Sequence, residues 1–274
     1  TLESFAVLGL RISAYTFTNI FAWRRPYNTK ISTLDGFIIV SYNINGTRTL
    51  LEPLGDGNKA DVIKKCHILS EDLSASFKCI SHDIAESIPK DHHLKASLDR
   101  DNSDYLYNAN DLIELPGRKY DAKRNFINRL RSNFTYEYIE ITPKNVMQCH
   151  EFAQQWCEDR SCDTSEGLAR ERCAVYEMLT HFEQLGICGG AISIAGRIVA
   201  FSLGEALNPQ TLVVHVEKAD TAVEGIYQLI NNEFCIHAAQ DFEFVNREQD
   251  LGIPGLRKAK ESYHPVKIVK TYSI

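Results

Sequence analysis

The chain has 274 residues, of which 44% are hydrophobic and 24% are charged, and its formal net charge at pH 7 is −6. This composition is typical of a globular protein with a buried core, and the length suits one large domain or two ordinary ones. No apolar run approaches the ~20 residues of a membrane helix. Because the chain is acidic overall, an anionic partner must be bound by local basic patches.

Short helical and extended patterns alternate along the first half. A short amphipathic helix is predicted by Phe17, Phe21 and Trp23. The dipeptide Asn45-Gly46 lies between two β-rich runs and predicts a hairpin, since a type I′ turn needs positive φ at both positions. A glycine-containing loop that opens a helix is predicted at 54–69; such a loop could cradle a phosphate but is more often a simple turn. Strands are predicted at 76–81 and 93–99.

A polar segment, residues 99–111, predicts an irregular boundary between two halves, 1–110 and 111–274. Within it, Asp111 and Glu114 predict a capping box over a short turn that Pro116-Gly117 ends. In the second half, helices are predicted at 117–134, from Thr142-Pro143 onward, at about 164–185, at 225–237 and at 254–263. Strands are predicted at 136–141, 190–207 (with a glycine turn), 211–219, 242–248 and 266–274. Both halves follow a similar order of elements, although no residue-level repeat is visible.

The eight cysteines include no CxxC pair and predict reduced, mostly buried thiols in a cytoplasmic protein. Cys149, His150, Cys157 and Cys162 are close together, but their spacing fits no zinc pattern, so we predict no metal site. Residues 91–93 (DHH) resemble a phosphoesterase motif without its supporting acidic motifs. No GxSxG, Walker A or complete GxGxxG motif is present.

A basic helix is predicted by six cations within fourteen residues: Arg118, Lys119, Lys123, Arg124, Arg129 and Arg131. Its apolar stripe comprises Phe126, Ile127, Leu130 and Phe134. Lys119 and Lys123 fall in the same sector as this stripe. Either the helix overhangs the core and both lysines are solvated, or the stripe enters a cleft where both ammonium groups face a phosphate or carboxylate.

Two further segments carry candidate chemistry. In the strand at 211–219, alternation places His215 and Glu217 on one face, either as a proton-transfer pair or as a satisfied polar pair on a half-exposed sheet, and Lys218 ends the strand. Residues 246–265 (NREQDLGIPGLRKAKESYHP) place many charges on both sides of a tight turn, which predicts either a solvated corner or the wall of a site.

Three segments together, 104–130, 216–234 and 245–265, resemble an uncharacterised bacterial family related to the C-terminal domain of phosphatidylglycerol lysyltransferases. The resemblance extends from about Phe17 to the end of the chain. It implies an α+β fold of two tandem GNAT-like domains, akin to Fem-type peptidyltransferases, with mixed sheets flanked by helices and C-terminal strands exchanged between the halves. The N-terminal domain would be 1–110, and the C-terminal domain, 111–274, would carry the site.

The resemblance also implies transfer of an aminoacyl group from a charged tRNA to an amine or hydroxyl on a small molecule, peptide or lipid. Glu217 or Asp250 would receive the proton of the nucleophile, His215 would be a further catalytic candidate, and an Arg or Lys would stabilise the oxyanion. The residues expected to bind substrate or phosphate are Lys119, Lys123, Arg124, Asn125, Lys218, Arg247, Glu248, Arg257 and Lys260.

Departures from the family narrow this expectation. The lysyltransferases carry a large membrane domain that this sequence lacks, which disfavours attack on membrane lipid, although peripheral membrane contact stays open. The segment 219–228 (ADTAVEGIYQ) has one glycine and carries Glu224 where a pyrophosphate would approach. Because a carboxylate there opposes phosphate binding, acyl-CoA is disfavoured and no cofactor is expected. Two alternatives stay open: a non-catalytic module that binds nucleic acid or a small anion, and an acetyl-CoA-dependent N-acetyltransferase.

Overall fold

A computed structural model of the chain describes residues 11–44, 46–70, 76–88 and 94–274. Its strands are β1 Lys30–Leu34, β2 Phe37–Ile44, β3 Thr47–Leu50, β4 Ser76–Phe77, β5 Ile80–Ser81, β6 Ser97–Asn108, β7 Tyr136–Glu140, β8 Cys188–Ile194, β9 Arg197–Asn208, β10 Thr211–Ala219, β11 Phe244–Asn246 and β12 Lys267–Ser273. Its helices are α1 Phe17–Ala22, α2 Lys59–Ser70, α3 His82–Ser87, α4 Ala109–Glu114, α5 Asp121–Asn133, α6 Val146–Asp159, α7 Glu166–Thr180, α8 Phe182–Leu185, α9 Ile226–Ala238 and α10 Pro254–Glu261.

The strands form two mixed sheets, which confirms the predicted α+β class. The smaller sheet has the order β1-β2-β3-β4, and the larger has the order β5-β12-β6-β11-β10-β9-β8-β7. Two hydrophobic cores flank the larger sheet. One is built around Tyr105 and Phe234 with helices α5 and α9, and the other lies against α6 and α7 around Phe201 and Met178. The larger sheet therefore has a buried face on each side near its centre.

Strands from the two halves interleave in the larger sheet. β6, which precedes residue 110, lies between β11 and β12, and β12, the last strand, also pairs with β5. Beyond β12, the backbone of Ile274 exchanges two hydrogen bonds with Phe77 of the first half. This is the predicted exchange of C-terminal strands. The division of the chain at residue 110 remains a prediction.

The prediction of an irregular polar segment at 99–111 was wrong, because β6 runs through Asn108 and α4 follows directly. Polar residues of this segment are buried in the strand or satisfied by partners elsewhere in the fold. Asp104 is fully buried and accepts hydrogen bonds, and Tyr105 and Tyr107 are buried beside it. The predicted capping box at Asp111 and Glu114 was also wrong, since the Asn108 side chain caps α4 by accepting a hydrogen bond from the backbone of Asn110.

Several local predictions in the first half are confirmed. Helix α1 forms where the aromatic pattern predicted it. β2 and β3 form the expected antiparallel hairpin, with Gly46 at φ +85°, while Asn45 lies outside the described residues. In the 54–69 segment, Cβ atoms at Gly55 or Gly57 would meet the ring of Phe37, so an apolar side chain occupies the inside of that loop. The DHH segment, 91–93, also lies outside the described residues.

The second half contains two corrections. Helix α6 begins at Val146, three residues after the predicted Thr142-Pro143 start, because the Asn145 side chain accepts from the Thr142 backbone and holds a turn there. Cys157 and Cys162 form a disulfide, which contradicts the expectation that all cysteines are reduced. No helix in the described part of the chain has the length and apolar character needed to cross a membrane.

Candidate functional site

The candidate site lies where two neighbouring strands of the larger sheet part. β10 and β11 pair in parallel only from Thr211 to Val213, opposite Phe244 to Asn246. β10 then continues along β9 to Ala219, whereas the chain after Asn246 follows β6, with Arg247 donating its backbone N–H to the Tyr105 carbonyl. We call this opening between β10 and the segment after β11 the splay. Side chains from both strands project into it.

A β-bulge decides which side chains of β10 share a face. The pairing of β10 with β9 shifts register between Val214 and Val216, so His215 is the extra residue. As a result Val214 packs in the core of α5 and α9, and Val216 packs in the opposite core. Glu217 is brought to the α5 face, where it binds Arg247. The predicted His215–Glu217 pair is therefore wrong, because the bulge breaks the two-residue alternation.

On the α5 face, Arg247 bridges the splay to Glu217. Its Nε and Nη2 both donate to Oε2 of Glu217, at 3.1 and 2.5 Å. The guanidinium carbon lies 4.7 Å from the ring centroid of Tyr263 and 5.6 Å from that of Tyr107. Burial disfavours the charged form, but Glu217 and the tyrosines outweigh burial and raise the pKa of Arg247. Arg247 is therefore a fixed cation in contact with two aromatic rings.

Two lysines lie beside Arg247. Lys123 of α5 donates to Oγ of Ser262 at 2.6 Å and lies 4.1 Å from the ring centroid of Tyr263, and Lys260 donates to the carbonyl of Arg247. Burial, followed by repulsion from Arg247, lowers the pKa of each lysine to about 8. Near neutral pH each lysine thus exists in both protonation states, which suits proton transfer.

The turn after the splay is organised around Asp250, whose side chain is fully buried. Its carboxylate accepts from both Nε and Nη2 of Arg257 at 2.8 Å, from the Tyr105 hydroxyl at 2.6 Å and from the Gly252 backbone at 2.8 Å. Arg100 adds a contact of 3.2 Å. Although burial alone would raise it, the pKa of Asp250 is lowered by these hydrogen bonds. A carboxylate held this way is a poor proton acceptor and a strong structural anchor.

His215 lies on the other face of the sheet, between two carboxylates. Its Nδ1 is 2.8 Å from Glu248 and its Nε2 is 2.9 Å from Glu205. Glu248 also accepts from the amide of Asn19 on α1. Burial opposes the charge on the ring, but the hydrogen bonds and charges of the two glutamates raise the pKa of His215 to about 9. Both ring nitrogens therefore donate, and His215 is a buried imidazolium with no free nitrogen to act as a base.

The family model described as phosphatidylglycerol lysyltransferase, C-terminal, matches residues 5–274. The chain belongs to this family. The chain is similar to a conserved protein of unknown function from Bacteroides thetaiotaomicron VPI-5482, whose crystal structure is known. The two sequences are 34% identical, the structures match with a TM-score of 0.89, and the match covers 99% of this chain and 95% of that one.

More distant structures share the fold. The C-terminal domain of a putative lysylphosphatidylglycerol synthetase from Agrobacterium fabrum is 15% identical, with a TM-score of 0.69 over 99% of this chain and 90% of that one. A tandem GNAT protein from the clavulanic acid biosynthesis pathway is 10% identical, with a TM-score of 0.50 over 100% of this chain and 93% of that one. The tandem GNAT-like fold is therefore confirmed. An uncharacterized protein of Mycoplasmoides gallisepticum is 26% identical over 180 residues, which are 63% of this chain and only 56% of that protein.

Several residues expected to bind substrate in this member of the lysyltransferase family lie outside the splay. Lys119 is exposed and pairs with Asp111 at 2.9 Å, and Arg124 donates to the Gly117 carbonyl at 2.9 Å, where it braces the start of α5. Asn125 is exposed. Lys218 projects to the opposite face of the sheet. There it pairs with Glu171 at 2.8 Å and lies 3.8 Å from the centroid of Trp156.

Other residues of the site were not identified from the sequence. They are Arg100, Tyr105, Tyr107, Glu205, Ser262 and Tyr263. The two-residue spacing of Tyr105 and Tyr107 was a usable signal, since it is typical of a strand with one buried face. Among the residues with described positions, no group of three or more His, Cys, Asp or Glu side chains could hold a metal ion.

The N-terminus of α9 is closely covered by α5. A Cβ at Gly225, whose φ is +88°, would lie 2.7 Å from the backbone oxygen of Phe126. Glu224 precedes it and pairs with Arg129 of α5 at 2.7 Å. This glycine therefore permits close packing of α9 against α5, and it is followed directly by the helix N-terminus, the kind of place where a pyrophosphate binds.

Proposed function

We propose that this protein transfers an aminoacyl group from a charged tRNA to an amine or hydroxyl acceptor, and that the transfer takes place in the splay. Family membership and the tandem GNAT-like fold relate the chain to acyl and aminoacyl transfer in general. The observation that supports the splay is its concentration of Arg247, Lys123 and Lys260 in a chain of net charge −6. An anionic donor needs such a local cluster.

The residues of the splay suggest a division of roles. Arg247 contacts two aromatic rings and would stabilise the negative charge that develops on the ester carbonyl oxygen. Lys123, in its neutral form, would take the proton of the attacking amine or hydroxyl. The new bond forms at the carbonyl carbon, the bond to the ribose oxygen breaks, and the proton passes from Lys123 to that leaving oxygen. Asp250 and His215 would position the surrounding segments.

An aminoacyl-tRNA donor is favoured over acyl-CoA by the close packing of α5 against Gly225, which leaves little room beside the N-terminus of α9. In this proposal the Glu224 carboxylate near that terminus further opposes a pyrophosphate. The acceptor is left as a class, an amine or a hydroxyl.

The test is a filter-binding comparison of charged tRNA, uncharged tRNA and acetyl-CoA at about 50 and 200 mM salt, since phosphate contacts weaken steeply with salt. We expect charged tRNA to bind most tightly and to lose affinity at the higher salt. Lys123→Met is expected to weaken this binding, whereas the control Lys144→Met, at an exposed lysine, should not. Preferential binding of acetyl-CoA would favour an acetyltransferase instead.

A further inference from the structure

Two buried polar atoms of the Arg247–Glu217 pair have no hydrogen-bond partner: Nη1 of the arginine and Oε1 of the glutamate. Within the described ranges, the other buried side-chain atoms in this condition are single atoms of Thr18, Thr29 and Asn231, none of which is paired with another. An unsatisfied buried donor or acceptor is unfavourable, because it has lost its hydrogen bonds with water. An unsatisfied atom on each member of one ion pair therefore calls for an explanation.

The geometry of the pair shows why two atoms are left over. An arginine and a carboxylate commonly form two parallel hydrogen bonds that use both carboxylate oxygens. Here both arginine donors converge on Oε2, at 3.1 and 2.5 Å, and Oε1 is unused. The rings of Tyr107 and Tyr263 lie close to the guanidinium, with centroids 5.6 and 4.7 Å from its carbon. A free donor and a free acceptor are thus presented at one place.

The two side chains of the pair are partly exposed, although their unpaired Nη1 and Oε1 atoms are buried. The side chain of Arg247 is 12% exposed and that of Glu217 is 15% exposed, so each has atoms in contact with solvent. The pair also lies in the splay, where the backbones of β10 and the segment after β11 are no longer joined by hydrogen bonds. The opening between the two strands is therefore the route by which a small group would approach the two buried free atoms.

We infer that the splay recognises an aminoacyl group by its free α-amine, which donates to Oε1 of Glu217 while the ester carbonyl oxygen accepts from Nη1 of Arg247. This inference rests on the proposed function and adds the feature of the donor that the site selects. An acetyl group or an N-acylated amino acid offers the carbonyl but has no ammonium group. An acetyl group has no donor for Oε1 of Glu217, and an N-acylated amino acid offers one neutral amide N–H, carrying a bulky acyl group, in place of the charged ammonium.

The inference is tested with one preparation of charged tRNA, used directly, after chemical N-acetylation of its amino acids, and after deacylation. Filter binding is measured for the wild type, for Glu217→Gln and for Glu224→Gln. The last variant is a matched control, because Glu224 is a carboxylate in an exposed ion pair with Arg129. A charge-assisted hydrogen bond predicts roughly tenfold or greater preference of the wild type for the free amine over the N-acetylated form.

The outcomes separate this inference from the function on which it rests. The preference is expected in the wild type and in Glu224→Gln, and it should largely disappear in Glu217→Gln. Equal binding of the free and N-acetylated forms, both above deacylated tRNA, would overturn the inference and leave the proposed function standing. If all three forms bind the wild type equally, both fail. The comparison of ligands on the wild type decides the matter even where Glu217→Gln is unstable.

Discussion

Replacing Asp250 with asparagine should destabilise the protein more than any single change in the surface ion pairs around it. The variant keeps one acceptor oxygen but places an amide NH2 against Arg257 and Arg100, which now bond to the carboxylate at 2.8 and 3.2 Å. Breaking a buried pair costs about 3–5 kcal/mol. Because the two arginines are 33% and 32% exposed, solvent screening brings the expected loss to about 3 kcal/mol.

Urea unfolding measures this loss, and thermal unfolding should show a decrease of roughly 2 °C for each kcal/mol, or about 6 °C. The control is Asp101→Asn, which removes the exposed partner of the same arginine and should cost less than about 1 kcal/mol. The pKa of Asp250 is lowered in the folded state, so its contribution is present above the unfolded value of about 3.9 and is lost as the pH falls below it. Equal losses in the two variants, or a difference that does not shrink in acid, would refute this reasoning.

Three further predictions concern other charged or reactive groups. The pKa of His215 is raised to about 9, so the stability lost in His215→Gln, measured by urea unfolding, should be greatest below about pH 6.5. The pH-dependent part of this loss should disappear as the pH rises through 9. The pKa of Lys123 is lowered to about 8, so Lys123→Met should be more stable than the wild type below pH 8. This gain should fade as the pH rises toward about 10.4, and a stability difference that does not change with pH would contradict the assignment. The Cys157–Cys162 disulfide predicts six reactive thiols in the denatured, unreduced protein and eight after a dithiol reductant; eight in both would exclude the bond.

The elements of the fold were predictable where local patterns agree with tertiary packing. The hairpin at Gly46, the apolar stripe of α5 at Ile127 and Leu130, and the glycine that ends α8 all follow from residue types with local conformational effects. β6 was missed because its polar residues, such as Asp104, are satisfied by distant partners. The side chains of Ser13 and Asn246 both donate to that carboxylate. Such long-range satisfaction leaves no periodic signal in the sequence.

The candidate site was predictable in composition but not in arrangement. Arg247, Glu217, Lys123 and Lys260 were named from the family resemblance, and the structure brings them together. The pairing of His215 with Glu217 failed because a bulge reverses the alternation of β10, and bulges depend on the neighbouring strand. The partners of His215 come from β9 and from the segment after β11, at positions that strand alternation in β10 cannot indicate.

The most direct test of aminoacyl transfer in the splay is a single-turnover measurement with radiolabelled charged tRNA and hydroxylamine as a small amine acceptor. The wild type should accelerate formation of the aminoacyl hydroxamate. Arg247→Lys should reduce this rate by about tenfold or more, since lysine cannot provide the second guanidinium donor that would face the oxyanion, and Glu224→Gln should retain it. Acceleration that is unaffected by Arg247→Lys would contradict a site in the splay, and no acceleration over the tRNA alone would contradict aminoacyl transfer.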